Sequence, residues 1–244
     1  MGGPVDATEL TAIDDLLRRQ WLRLRGWVAE LEPRTLARDS AVPGWTVGLL
    51  VAHLGRGFEA LAVVQPTAAG TAAQSLGEYV AAYRDGAAEI DRLTRELAER
   101  IADDPLRGLD RVAETGLAQV TQLRETAPDP VVRGLRGPIH LSDMLVSRLL
   151  ELVVHGDDLV RSLDRPVRSD DGPLDPDAVR IVAEALLEVV VDRGGWDLEV
   201  VDPLGWVRIA AGRVPLDTDA LTSAIRARHT SDSVPDLGGM LPLL

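Results

Sequence analysis

Apolar residues recur every three or four positions through the first three quarters of the chain. Leu10, Ile13, Leu17, Trp21, Leu24, Val28 and Leu31 form one stripe, with Asp14, Asp15, Arg18, Arg19 and Arg25 off it, which predicts a long amphipathic helix. Pro33 and then Pro43-Gly44 interrupt that pattern, and Thr46 is placed to cap a second helix running to about Gln65. The small residues from Pro66 to Ala73 predict a loop. A third helix should carry Leu76, Val80, Tyr83, Ala87, Ile90, Leu97 and Ile101 on one face and stop at Asp104-Pro105. Leu106 to Glu125 reads as a fourth helix, weakened by Gly108 and Gly116.

Ala127 to Pro138, with three prolines and two glycines, reads as a loop. Ser142-Asp143 should cap a strongly apolar helix to about Leu163. Asp164 to Pro176 reads as a linker, and Asp177 to Arg193 as a helix apolar nearly all round, hence buried. The last fifty residues change character. Trp196 to Val201 and Trp206 to Ala210 resemble two strands joined at Asp202-Pro203, with a short helix over Asp217 to Arg228. The fold expected is mainly α: a helical bundle over residues 7–165, then a small α+β C-terminal module over residues 175–244.

Composition narrows the function classes. The 244 residues carry a net charge of −13, and all 26 basic residues are arginine, dispersed among acids. Such a surface repels a phosphate backbone, so no nucleic-acid partner is expected. The absence of cysteine removes disulfides, thiolate metal sites and cysteine nucleophiles together. No apolar run approaches the roughly 20 residues of a membrane span, and Met1 to Asp6 looks like a disordered start rather than a signal segment. The expectation is a cytoplasmic protein with no membrane partner. Neither charge nor composition indicates an oligomeric state.

The chemical anomaly is Leu149-Leu150-Glu151-Leu152-Val153-Val154-His155. A carboxylate and an imidazole four residues apart share one helical face. A carboxylate buried without a partner is strongly disfavoured, and a metal ion would compensate both groups at once. A hydrogen-bonded Glu-His pair facing solvent or a neighbouring helix is the simpler alternative. His53 lies among Leu49, Leu50, Leu54 and Leu61 in the second helix and should face the core, with space beside it at Gly57. Two histidines and one glutamate would leave coordination positions open, as catalytic metal sites do. His140, before a helix, and His229, among Arg226 and Arg228, are assigned to the surface.

Pro43-Gly44-Trp45-Thr46 followed by Ala52-His53-Leu54, and Glu151-Leu152-Val153-Val154-His155-Gly156-Asp157-Asp158-Leu159, resemble the two signatures of the mycothiol-dependent maleylpyruvate isomerase family. That family belongs to the DinB-like four-helix metal-binding superfamily. The resemblance implies that His53, Glu151 and His155 bind a divalent metal, usually zinc. Asp157 stands where many members have tryptophan, which bears on substrate preference. The stretch from Asp202 to Arg213, with Leu241-Pro242-Leu243-Leu244, is similar to the end of sterol-carrier-like modules, though too short for a complete lipid tunnel. Family isomerases use a tail arginine on the substrate carboxylate, for which Arg208 and Arg213 are candidates.

The resemblance further implies mycothiol as cosubstrate, which the missing cysteine fits. A metal-activated thiolate would attack a small electrophile, giving either S-transfer or cis–trans isomerisation of the maleylpyruvate type. Two alternatives stand beside this reading: a small-molecule or lipid-binding protein of the sterol-carrier type, and a metal-stabilised bundle without catalysis.

Overall fold

The computed structural model describes residues 4–83, 86–163, 172–229 and 234–244. Helix α1 spans Ala7–Ala29, and its N-cap Asp6 accepts hydrogen bonds from the backbone of Thr8 and Glu9. The stripe read from the sequence is its buried face, with Leu10, Leu17, Trp21, Leu24 and Val28 all inside. A 3₁₀ turn over Pro33–Ala37 follows. Thr46 then caps α2, Val47–Ala62, by accepting from Leu49 N. That helix stops short of Gln65 because Gln65–Pro66 forms strand β1.

The single third helix expected from periodicity is two helices. A Ser75–Glu78 capping box opens α3, Leu76–Ala81, and α4 runs Ala87–Arg100 from an N-cap at Gly86. Arg84 and Asp85, between them, lie outside the described residues. Helix α5, Pro105–Arg124, keeps both of its glycines, which allow close approach: a Cβ at Gly116 would sit 2.5 Å from the Phe58 carbonyl oxygen of α2.

The stretch expected to be a loop holds a hairpin instead. Strand β2, Val131–Gly134, pairs antiparallel with β3, Gly137–His140, in the sheet order β1-β2-β3. Pro138 is tolerated because β3 is an edge strand, and Gly137 takes φ of 120° beside the two-residue tip. Helix α6, Leu141–Arg161, starts directly after β3, one residue before the expected Ser142 cap. Asp129 satisfies that end, accepting from both Ser142 N and Ser142 Oγ.

Of the expected linker, residues 164–171 lie outside the described residues. Asp175 and Pro176 are already the N-cap and first residue of α7, Pro176–Gly194. Buried Gln20 of α1 holds this approach, donating to Pro173 O and accepting from Asp175 N. Strand β4, Leu198–Val200, is as expected, but Trp206 to Ala210 is not a strand. It belongs to helix α8, Pro203–Ala210, because Asp202 caps Gly205 N and Pro203 sits at the first helical position. The last predicted helix is shorter, α9 at Thr218–Ala224, and passes into strand β5, Ile225–Ala227, which pairs with β4.

The described residues are therefore mainly helical with two small sheets. Helix α2 packs on α4, α5 and α6, and α1 lies along α6, with Trp21 edge-on to Phe58 at 5.0 Å. One hydrophobic cluster runs from Leu10 to Leu243. The α8 segment joins it through Trp206, whose buried Nε1 donates to Ala183 O of α7 at 3.0 Å. Among the described residues no helix is long and apolar enough to cross a membrane.

Candidate metal centre

His53, Glu151 and His155 converge where α2 crosses α6. One ligand atom from each lies within 4.8 Å of the others. The Glu151 carboxylate stands between the two imidazoles, with Oε2 at 3.3 Å from His53 Nε2 and 3.4 Å from His155 Nε2. The i, i+4 spacing puts Glu151 and His155 on one face of α6, and the crossing with α2 brings His53 to that face. The histidine rings meet edge to face at 4.6 Å, and Trp45 lies against His53 at 4.8 Å. Trp45 is itself anchored by donating Nε1–H to Asp91 of α4 at 2.7 Å.

The outward nitrogen of each imidazole is also held. His53 Nδ1 is 3.0 Å from the hydroxyl of Thr94, which is fully buried on α4. His155 Nδ1 is 3.0 Å from Asp158 Oδ2, one turn further along α6. Asp158 in turn accepts from Arg213 Nε at 2.9 Å and Arg213 Nη2 at 2.9 Å. These outer partners orient both Nε2 atoms toward the Glu151 carboxylate, the arrangement that supports histidine metal ligands.

Charge follows from the geometry. Burial pushes the His53 pKa below its ordinary value. Burial also opposes the His155 imidazolium, but hydrogen bonds to Asp158 and Glu151 outweigh it and push that pKa up to about 9. Burial likewise favours neutral Glu151, yet its hydrogen bonds with His155 and His53 hold its carboxyl well below the usual carboxylate range. Two imidazoles and one carboxylate form a nitrogen–oxygen donor set suited to zinc.

A cavity of about 270 Å³ opens on the cluster, lined by Tyr83, Glu151, His155, Arg213 and the C-terminal Leu244 among others. Arg213 is thus at the cavity, whereas Arg208 is absent from its wall and grips Asp157 through two bonds of 2.8 and 2.6 Å. Asp157 is buried in that pair and faces the tail. Gly57, expected to leave space beside His53, instead faces Arg148, whose Cδ would lie 3.6 Å from an added Cβ. His229 is exposed as expected, 3.3 Å from Asp197. His140 is only partly at the surface: its side chain is 17% exposed, with Nδ1 buried, without a hydrogen bond among the described residues and 3.6 Å from Asp129. The β2–β3 hairpin, which the sequence did not suggest, is what draws it in.

Fold and cluster together describe a helical bundle with an internal His-Glu-His centre. The chain belongs to the mycothiol maleylpyruvate isomerase N-terminal domain family, whose profile matches residues 17–160. Crystal structures of the mycothiol-dependent maleylpyruvate isomerase, and of a variant of it with one histidine changed to alanine, share the fold. Each aligns over 93% of this chain and 95% of its own, at a TM-score of 0.53 and 15% identity. No curated protein sequence matches the chain.

Proposed function

We propose that this protein is a divalent-metal- and mycothiol-dependent enzyme of the cytoplasm, acting on an electrophilic small molecule by S-transfer or by cis–trans isomerisation of the maleylpyruvate type. The observation that carries the reading is the cluster itself: two imidazoles aimed at one carboxylate, each braced from behind by Thr94 or Asp158, at the edge of a cavity. His53, Glu151 and His155 would hold the ion, with zinc favoured by the donor set. A divalent ion there supplies a Lewis-acid centre that lowers the pKa of a bound thiol, so that thiolate is present at neutral pH.

The chain's own residues do the rest. Asp158 holds the His155 tautomer by accepting Nδ1–H, and Thr94 holds His53. Three protein ligands would leave coordination positions for a thiol, as catalytic metal sites do. Arg213 offers a cation to an anionic group of the substrate, a role for which it is better placed than Arg208. The enclosing Leu150, Val154 and Leu244 limit water at the reacting atoms. The tail supports this reading over a lipid carrier, because Trp206, Val207, Ile209 and Ala210 of α8 are buried in the protein core.

The test is spectroscopic. Cobalt-substituted protein should gain a sulfur-to-metal charge-transfer band on adding mycothiol, and His155→Ala should not. An unchanged spectrum at saturating mycothiol would contradict the enzyme reading.

A further inference from the structure

The cavity has a second polar wall that the metal cluster does not use. Tyr83, just after α3, lines it together with Glu151 and His155. The Tyr83 oxygen accepts a hydrogen bond from Arg148 Nη2. Arg148 is 6% exposed and lies on α6 three residues before Glu151; its Nε is 3.2 Å from Ser147 Oγ. The Glu151 carboxylate also supports this buried cation electrostatically, but the Arg148 hydrogen bonds described go to Tyr83 and Ser147. A second guanidinium, Arg136 from the β2–β3 tip, stacks over the Tyr83 ring at 4.2 Å.

Two cations on one tyrosine have a chemical consequence. The oxygen accepts from Arg148, so its own proton must point elsewhere, and both charges draw electron density from the O–H bond. The result is a neutral hydroxyl, on a residue that lines the cavity, whose proton is left to serve another acceptor. Burial pushes the phenol pKa up, so that the proton stays in place.

We propose that Tyr83 is a catalytic oxyanion donor of this site, positioned by Arg148, for an electrophile whose double bond is conjugated to a carbonyl. The inference rests on the thiol-dependent reading above. In such a substrate the thiolate sulfur bonds to the β-carbon, and the alkene π pair moves through to the carbonyl oxygen, giving an enolate. Tyr83 hydrogen-bonds that oxygen and keeps its proton. After rotation about the new single bond, collapse of the enolate expels the thiolate and leaves the trans alkene. Protonation of the α-carbon by water instead leaves the S-adduct. Neither route needs an oxidant or a reductant.

The experiment compares two electrophiles on metal-loaded protein with mycothiol: maleylpyruvate, which develops an oxyanion, and ethyl iodide, which is displaced without one. Tyr83→Phe should lower kcat on maleylpyruvate by about 10²- to 10³-fold, as loss of one oxyanion donor does, with little change in KM. It should leave both the ethyl iodide rate and the cobalt–mycothiol band intact. Arg148→Met should shift the same ratio and Arg148→Lys should restore part of it. A Tyr83→Phe protein that keeps its maleylpyruvate rate, or loses both rates equally, overturns the inference while the band still supports the thiol-dependent reading. A wild-type protein with no band overturns that reading and the inference with it.

Discussion

Asp158 Oδ2 lies 3.0 Å from His155 Nδ1, and this contact decides which nitrogen of the ring faces Glu151. The same carboxylate is gripped by Arg213, so that guanidinium and the imidazole share one buried anion. A contact with Arg213, far along the chain, thus bears directly on the orientation of the His155 ring.

Removing the charge of that anion should loosen the centre without dismantling it. Asp158→Asn should weaken zinc affinity by about 10- to 100-fold, the usual effect of losing an outer-shell partner. Competition against a chromogenic chelator measures it, and an unchanged affinity would remove Asp158 from the account.

Its neighbour should behave differently. Asp157 is 2% exposed and depends on Arg208 for its counter-charge. Arg208→Ala leaves that charge uncompensated and should cost about 2 kcal/mol in urea denaturation, below the figure for a fully buried pair because Arg208 is partly solvated. Zinc affinity should not move. Adjacent acids would then separate into one that braces the cluster and one that docks the tail.

Gly116→Ala tests the α2–α5 contact. An added Cβ meets the Phe58 carbonyl oxygen at 2.5 Å, a backbone atom that cannot step aside. A loss of about 2–3 kcal/mol is expected from overpacking. Gly26→Ala in α1 is the control: nothing lies within 4 Å of its added Cβ, and helix propensity should raise stability by up to about 1 kcal/mol.

Asp143 gives a pH signature remote from the cluster. Burial first, then the charges of Asp129 and Glu188, raise its pKa from 3.8 to about 6, against the opposing pull of His140. The folded protein therefore binds this proton more tightly than the unfolded chain. Its contribution to stability falls as pH rises from about 4 through about 6. Asp143→Asn should stabilise the protein at pH 8 by about 1–3 kcal/mol, and by clearly less at pH 5. An equal gain at both would contradict the assignment.

What the sequence revealed divides along physical lines. Long amphipathic helices are local patterns, so α1, α2 and α5 were readable within a few residues, as was the Thr46 cap. The hairpin at 131–140 was missed because prolines and glycines suggest a loop, and only the edge position of β3 makes Pro138 acceptable. Asp202-Pro203 between two apolar runs suggests a turn between strands, although an N-cap followed by proline serves equally as a helix start. His53, Glu151 and His155 stood out as polar groups on apolar faces. Thr94 and Tyr83 had no such signal, since their roles come from helix crossings far apart in sequence. Asp158, at i+3 from His155, could have been found from spacing alone.

The most direct measurement is anomalous diffraction at the zinc edge from crystals of protein loaded with one equivalent of zinc. The account predicts one peak per chain, bonded to His53 Nε2, His155 Nε2 and a Glu151 oxygen at roughly 2.0–2.2 Å, and its loss in Glu151→Ala. A zinc-loaded crystal with no peak among those three side chains, or with its peak elsewhere on the acidic surface, would contradict it.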